Sequence, residues 1–327
     1  MRFSIVIPQY RETEQHIFSL LASIDGQLGI DFGNLEVIIV NDGSDVLLSD
    51  SFLQSFPHIK PRYIRLEKNV GNGLCRQAGL DRASGDYVLF CDADDCLQNT
   101  HVLHLYLRQL KEHPDADIIF TSWLEELSGG EYVKHEQDTT WLHTKLFRRQ
   151  FLTDNNIRFS PHLPCHIDTF FVGVCFDLTE KRFFADELTY VWKWNEQSLT
   201  RQRNGEFFYT KFRYFIRAFE EKLEVLKKRK PEVLPYTLTQ FMLYVYFIYQ
   251  LPWWDEPEAV SYYKETRRQL GVFLKPNVSY LDSYPHEKFY DLFCRERKSV
   301  FLEASLVEKE TYQSFINKLM NYESTIK

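Results

Sequence analysis

The stretch YVLFCDADDC, Tyr87–Cys96, runs from five apolar residues directly into three carboxylates. The apolar part predicts a short strand that is buried on both faces. Asp92 and Asp94 follow it one residue apart, so an extended backbone would point both side chains the same way. Two carboxylates that face one point repel each other unless a cation lies between them, which predicts a site for Mg²⁺ or Mn²⁺. The alternative is that the acids cap the next helix, and this is the role that we predict for Asp95.

Three further apolar strands precede this one and alternate with helical spacing. FSIVI ends at Pro8, LEVIIV covers residues 35–40, and YIRL covers residues 63–66. This alternation predicts an α/β fold with a mostly parallel sheet between helices. Ligands bind such a sheet beyond the carboxyl ends of its strands, where the strand order reverses. The four strands end in PQYRE, NDGSD, EKNVGNG and DADD, so the sequence predicts one binding site at that edge.

The rest of the chain has a weaker pattern. WLHTKLFRRQFLTDNNIRF predicts a helix bounded by a turn, and HIDTFFVGVCFD predicts a buried helix or strand that carries Asp168. From Glu206 onward helical spacing dominates. We therefore predict two domains: residues 1–205 contain the sheet and the site, and residues 206–327 form a helical subdomain that supplies acceptor surface or an oligomer contact.

The composition limits the functions and the location that the sequence predicts. The 327 residues carry a net charge of −7, and only KKRK at residues 227–230 is locally basic, so nucleic-acid binding is not expected. Six cysteines form no CxxC pair, which is typical of a reducing compartment. The apolar run FMLYVYFIYQL is about half the roughly 20 residues that span a bilayer. We expect a cytoplasmic protein, and KKRK is compatible with contact at the inner face of the membrane.

Five segments occur in the order and spacing of a known family. They are SIVIPQYRE, EVIIVNDGSD, NVGNGLCRQAGLDRASGDYVLFCDADD, KLFRRQFLTDNNIRF and HIDTFF. Together they resemble the family 2 glycosyltransferases of bacterial type, over residues 1 to about 202. The resemblance implies the Rossmann-like GT-A fold, a UDP-sugar donor, Mn²⁺ or Mg²⁺, and inverting transfer of a hexosyl or N-acetylhexosaminyl group.

The resemblance also implies roles for individual residues. Asp92 and Asp94 match the family's DxD pair, with Asp92 toward ribose and metal and Asp94 toward the metal on the diphosphate. Asp168 matches the base that takes the proton from the acceptor hydroxyl. Contacts with the nucleotide-sugar are implied for Pro8, Tyr10, Glu12, Asp42, Asn69, Gly71, Arg76, Asp92, Ser198 and Arg201. Within that set Asp42 would bind the base, and Arg76 would meet phosphate or a neighbouring carboxylate.

Two positions depart from the family's pattern. Ile167 replaces the glutamate that usually precedes Asp168, and Asn195 stands where a histidine often helps to hold the metal or the diphosphate. Metal ligation from the Asn195 side therefore stays open. His143, Lys145 and His166 are further candidates for substrate contact.

Three functions remain open on the sequence. The leading one is transfer of a sugar to a hydroxyl of a glycan, a lipid-linked saccharide or a glycoprotein. A non-catalytic nucleotide-sugar-binding partner of another transferase is the first alternative, because Ile167 and Asn195 depart from the pattern. A metal-dependent nucleotidyltransferase is the second, although PQYRETEQ is not the glycine-rich basic loop expected after its first strand.

Overall fold

The computed structural model describes residues 1–196, 198, 206–249, 251–283 and 311–321. The chain forms two compact units, Met1–Asn195 and Glu196–Lys327. The division lies ten residues before the predicted boundary after residue 205, so the assignment of roles to the two predicted domains stays a prediction.

The first unit is built on a nine-stranded sheet within the described residues. Its strands are β1 (Phe3–Gln9), β2 (Leu35–Asn41), β3 (Arg62–Arg65), β4 (Tyr87–Phe90), β5 (Cys96–Leu97), β6 (Ile118–Glu126), β7 (Tyr132–His135), β8 (Lys145–Arg148) and β9 (Arg182–Trp192). Their order is β3-β2-β1-β4-β8-β6-β9-β5, and β7 pairs with β6. Strands β1 to β4 are parallel to one another, while β8 is antiparallel to both of its neighbours.

Six helices of the first unit connect the strands. They are α1 (Glu14–Asp25), α2 (Asp50–Gln54), α3 (Asn72–Leu80), α4 (Val102–Glu112), α5 (Arg149–Asp154) and α6 (Ile167–Leu178). Helix α3 packs directly on the sheet, because a Cβ atom added at Gly79 would lie 2.4 Å from a methyl carbon of Val6 on β1. This alternation of strands and covering helices confirms the predicted α/β fold.

One predicted element is wrong in part. The segment WLHTKLFRRQFLTDNNIRF was predicted as a helix bounded by a turn, but Lys145–Arg148 form strand β8, and the helix covers only Arg149–Asp154. Leu146 and Phe147 are fully buried, and β8 fills the place between β4 and β6. Pairing with two distant strands outweighs the local spacing of apolar residues.

The order of the strands reverses beside β1. From β1 the chain moves outward to β2 and β3 and then returns to β4 on the other side of β1. The carboxyl ends of β1 and β4 therefore border the reversal point, at Gln9 and at the start of the carboxylate run. This is the position at which α/β sheets bind their ligands.

The described part of the second unit is helical, as predicted. It contains α7 (Glu206–Arg229), α8 (Leu234–Tyr249), α9 (Val260–Leu274) and α10 (Tyr312–Met320), with short 3₁₀ turns between them. Aromatic rings fill its core, and Phe219 stacks on Phe241 with 3.8 Å between ring centroids. Among the described helices, none combines the length and the apolar character that a membrane span requires.

Candidate active site

The three carboxylates after β4 have different surroundings. The backbone turns at this point, because the N–H of Asp95 donates to the carbonyl of Asp92 at 3.3 Å. The backbone is therefore not the extended one that we predicted for this pair. Asp92 and Asp94 are partly exposed, whereas Asp95 is fully buried.

Asp95 does not cap a helix, and this prediction is wrong. Its carboxylate accepts a hydrogen bond from the hydroxyl of Tyr190 at 2.7 Å and another from the N–H of Lys193 at 2.9 Å. Tyr190 in turn accepts from the N–H of Asp92 at 2.9 Å. Burial raises the pKa of Asp95 well above its ordinary value, and the charges of Asp92 and Asp94 add to this. Asp95 thus fixes the carboxylate turn to strand β9.

Arg76 connects the carboxylate turn with Asp168. Its guanidinium is 4% exposed, and Nη2 donates to Oδ1 of Asp92. Nη1 lies 3.7 Å from Oδ1 of Asp168. The structure therefore brings Asp92, Arg76 and Asp168, which are separated along the chain, into one cluster.

Asp168 lies in the first turn of α6 and is oriented by the backbone. Oδ2 accepts from the N–H of Leu142 at 3.1 Å, whereas the buried Oδ1 accepts no hydrogen bond in the described part of the chain. Burial raises the pKa of Asp168, and the charge of Arg76 acts in the opposite direction. A carboxylate that the backbone orients and whose pKa is raised is suited to accept a proton.

The loops predicted to bind the nucleotide meet at the ends of β1 and β2. Both oxygens of Asp42 accept backbone hydrogen bonds, from Val70 at 2.7 Å and from Gly71 at 2.9 Å. Gly71 has φ +88° and ψ 155° at the start of α3, a conformation that is almost restricted to glycine. Asp42 therefore holds the loop before α3. Its predicted contact with the nucleobase would use the lone pairs of its carboxylate oxygens that the backbone N–H groups leave free.

Residues at the end of β1 form the other wall of this region. Tyr10 is exposed, and its N–H donates to Oε2 of Glu12 at 2.7 Å. The guanidinium of Arg11 lies 5.0 Å from the centre of the Tyr10 ring. Pro8 is partly buried and Asn69 is exposed. The structure thus places these residues near one edge of the sheet, and their contacts with a nucleotide stay predictions.

The segment that follows β9 is described only in part. Asn195 donates its side-chain amide to Oδ2 of Asp94 at 2.7 Å, so this residue reaches the carboxylate turn from the position of the family's histidine. Ser198 is partly buried, and Arg201 lies outside the described residues.

The donor atoms in the carboxylate turn fit a divalent cation that is shared with substrate. Asp92 uses one oxygen toward Arg76, and Asp94 uses one toward Asn195, so the second oxygen of each accepts no hydrogen bond from the described residues. Among the residues that the structure describes, no group of three or more His, Cys, Asp or Glu side chains is arranged to hold a metal alone. One or two carboxylates together with phosphate oxygens and water are the usual ligands of Mg²⁺ in such sites.

Two of the candidates for substrate contact are buried in the core. Lys145 is fully buried, and its Nζ lies 2.8 Å from Oδ2 of Asp138. His143 stacks on Tyr190 with 4.7 Å between ring centroids and an interplanar angle of 5°. Burial lowers the pKa of His143 well below its ordinary value, so the imidazole is neutral. Both side chains are buried, so neither exposes a polar group at the surface.

Sequence reasoning missed Tyr190 and the backbone of Leu142. Tyr190 is one of several aromatic residues in an apolar strand, and only the pairing of β9 with β5 brings it to the carboxylate turn. Leu142 acts through its N–H group, which no side-chain motif can reveal.

A model of the family described as Glycosyl transferase family 2 matches residues 4–170 of this sequence. The chain belongs to this family. With the uncharacterized glycosyltransferase YwdF of Bacillus subtilis, identity is 33% over 136 residues, which cover 40% of this chain and 47% of YwdF. With the uncharacterized glycosyltransferase YibD of Escherichia coli, identity is 23% over 250 residues, which cover 68% of this chain and 71% of YibD. The chain thus aligns with about half the length of YwdF.

Solved structures support the fold. Residues 1–349 of S. aureus TarS in complex with UDP match with a TM-score of 0.68 at 18% identity, covering 100% of this chain and 92% of that chain. The same part of TarS is also solved with UDP-GlcNAc. The mannosyltransferase PcManGT from Pyrobaculum calidifontis, in complex with GDP-Man and Mn²⁺, matches with a TM-score of 0.53 at 14% identity, covering 97% and 84% of the two chains. This family member therefore has the predicted GT-A fold.

Proposed function

We propose that this glycosyltransferase is an inverting enzyme that transfers a hexosyl or N-acetylhexosaminyl group from a UDP-sugar with Mn²⁺ or Mg²⁺. The observation that carries the proposal is the cluster in which Arg76 joins Asp168 to Asp92 of the carboxylate turn. This cluster supports the proposal because it lies at the reversal point of the sheet, where such folds bind nucleotides, and its carboxylates would serve as base and as metal ligand.

The donor would lie across the ends of β1 and β4. Asp92 and Asp94 would hold the cation, which when bound neutralises the charge that develops on the departing diphosphate. Pro8, Tyr10 and Glu12 would border the nucleobase and ribose. The complexes of TarS with UDP and UDP-GlcNAc favour a uridine nucleotide, and the PcManGT complex favours a divalent metal.

Asp168 would act as general base. Its carboxylate would take the proton of the acceptor hydroxyl while the hydroxyl oxygen bonds to the anomeric carbon and the bond from that carbon to the UDP oxygen breaks. Attack from the face opposite UDP inverts the configuration, so an α-linked donor gives a β-linked product.

The acceptor would be a hydroxyl of a glycan, a lipid-linked saccharide or a glycoprotein. One relative, 27% identical over 190 residues, is a cholesterol galactosyltransferase of Borreliella burgdorferi, which shows that a lipid acceptor occurs among related proteins. We place the protein in the cytoplasm, with KKRK as a candidate contact with the inner face of the membrane and the second unit as acceptor surface or homo-oligomer contact.

The direct test is nucleotide release from a panel of UDP- and GDP-sugars, measured with Mn²⁺ and with excess chelator. We expect one UDP-sugar to release UDP slowly in the absence of acceptor, with release stopped by the chelator and restored by Mn²⁺. GDP-sugars serve as the matched control for the nucleobase. Binding of UDP-sugars without any turnover, in the presence of a broad set of saccharide acceptors, would favour the non-catalytic binding partner instead.

A further inference from the structure

The resemblance implies that Arg76 meets phosphate or a neighbouring carboxylate, and the structure shows carboxylate contacts. Its side chain is almost completely buried between two carboxylates. Nη2 contacts Asp92, Nη1 lies 3.7 Å from Asp168, and both contacts are made from the middle of α3. A guanidinium holds two carboxylates at a fixed separation better than an ammonium does, because its donors form a rigid planar fork.

The surrounding packing fixes α3 against the helix that carries the base. One turn before Arg76, a Cβ atom added at Gly73 would lie 3.1 Å from Cγ2 of Ile167, so the two helices approach closely there. Ile167 is buried in this contact, which gives the departure from the usual glutamate a packing role. Asp42 holds the same end of α3, because it binds the backbone at residues 70 and 71, just before the helix begins.

Arg76 is also the cation that most favours the charged form of Asp168. The groups that face Asp168 are Arg76 from α3, Asp92 from the carboxylate turn, Lys145 from β8 and the N–H of Leu142. Arg76 and the N–H of Leu142 lower the pKa of Asp168, and Asp92 raises it. Lys145 also lowers this pKa, but by less than Arg76 does. Lys145 is moreover paired with Asp138.

We propose that Arg76 is a positioning residue for the reaction: it holds the Asp168 carboxylate in register with Asp92 and keeps it charged. The inference rests on the proposed function of Asp168 as base. It extends the predicted contact of Arg76 with a neighbouring carboxylate to an action on the reaction through two carboxylates, while the predicted contact with the donor stays a prediction.

The test compares Arg76→Gln with native protein by NMR titration of the Asp168 carboxyl carbon and by the pH profile of kcat/KM for donor turnover. Loss of an opposite charge at this distance is expected to raise the pKa of Asp168 by at least about one unit and to move the acid limb of the profile upward equally. Arg76→Lys keeps the positive charge, so it is expected to shift the pKa of Asp168 and the acid limb of the profile by less than Arg76→Gln does. Arg82→Gln, which changes an exposed arginine just beyond α3, is the matched control and should shift neither.

Asp92→Asn provides a second test that keeps Arg76 in place. It removes the competing carboxylate, so the pKa of Asp168 is expected to fall. The proposal is overturned if Arg76→Gln, or Asp92→Asn where the former does not fold, leaves the titration of Asp168 where it is in native protein, even if turnover is slower. If native protein turns over no sugar nucleotide, the proposed function fails, but the titration still decides what Arg76 does to Asp168.

Discussion

The segment DADD contains three aspartates with three different partners. Asp92 pairs with the buried Arg76, Asp94 with the side-chain amide of Asn195, and Asp95 with Tyr190 on strand β9. The sequence showed that carboxylates crowd here, because that is a local feature. It did not show that Asp95 is structural, since Tyr190 is 95 residues away along the chain. At the residue scale, the role of an acid is set by the partner that folding brings to it.

Gly71→Ala is expected to weaken UDP binding as well as stability. An alanine at φ +88° and ψ 155° is strained by about 1–3 kcal/mol, and relief of the strain would displace the N–H groups that Asp42 holds. Gly130→Ala is the matched control, because Gly130 has φ +84° in a turn after β6 and also has open space around it. Thermal unfolding should show a lower melting temperature for both variants. Calorimetry should show weaker UDP binding for Gly71→Ala alone. Equal UDP affinity in the two variants would contradict the role given to this loop.

His166→Asn is expected to make the protein less sensitive to acid. His166 precedes α6 with φ +56°, a conformation that asparagine tolerates, and burial lowers its pKa to about 4. Between pH 6.5 and 4 the unfolded chain therefore binds a proton that the folded protein does not, so stability falls as the pH falls. In the variant, the free energy of unfolding should drop by about 2–3 kcal/mol less over this range.

Urea unfolding at a series of pH values measures this difference. His162→Asn, which removes an exposed imidazole four residues away, is the matched control. The same pH dependence in native protein and in His166→Asn would show that His166 is not kept neutral by the fold.

At the scale of elements, strand β8 is held to the loop before it by a buried ion pair. Lys145 is fully buried on β8, and Asp138 accepts from its Nζ and also from the N–H of Trp141. The next residue, Leu142, donates to the carboxylate of Asp168. The ion pair thus fixes the segment that orients the candidate base.

Asp138→Ala is expected to destabilise the protein by about 3–5 kcal/mol, because it leaves the charge of Lys145 buried without compensation. Adding Lys145→Met should recover part of the loss, so a double-mutant cycle by denaturant unfolding should be far from additive. Asp186→Ala breaks a more exposed contact with Lys134 and is the matched control, with an expected loss below about 1 kcal/mol. Additive losses in the Asp138 and Lys145 cycle would contradict the coupling.

At the scale of the whole molecule, the sequence was sufficient for the α/β class and the helical second unit. Apolar strands with polar ends are local signals, and DADD and HIDTFF carry Asp92 and Asp168, which the structure brings together through Arg76. The functions of these residues stay predictions. Strand β8, the contact of Asp95 with β9 and the buried Lys145 could not be predicted. Each of these features depends on contacts between segments that are far apart in the chain. A local sequence pattern does not indicate which distant segment it will contact.

The separate roles that we propose for Asp168 and for the carboxylate turn can be tested by measuring binding and chemistry separately. Asp168→Asn and Asp94→Asn should affect different steps. Asp168 is the proposed base and should affect the chemical step, whereas Asp94 is a proposed metal ligand and should affect binding of the nucleotide. We expect Asp168→Asn to keep its UDP affinity near the native value while its kcat falls by a factor of about 10²–10⁴. Asp94→Asn should weaken UDP binding in the presence of Mn²⁺. Asp177→Asn, on the same helix as Asp168, is the matched control.

The most direct measurement is therefore kcat for UDP release by Asp168→Asn, taken beside calorimetric UDP binding by the same protein. Native UDP affinity with turnover reduced at least a hundredfold is the result that the account predicts. Turnover within a few fold of native protein would contradict it, because Asp168 could not then be the group that accepts the proton.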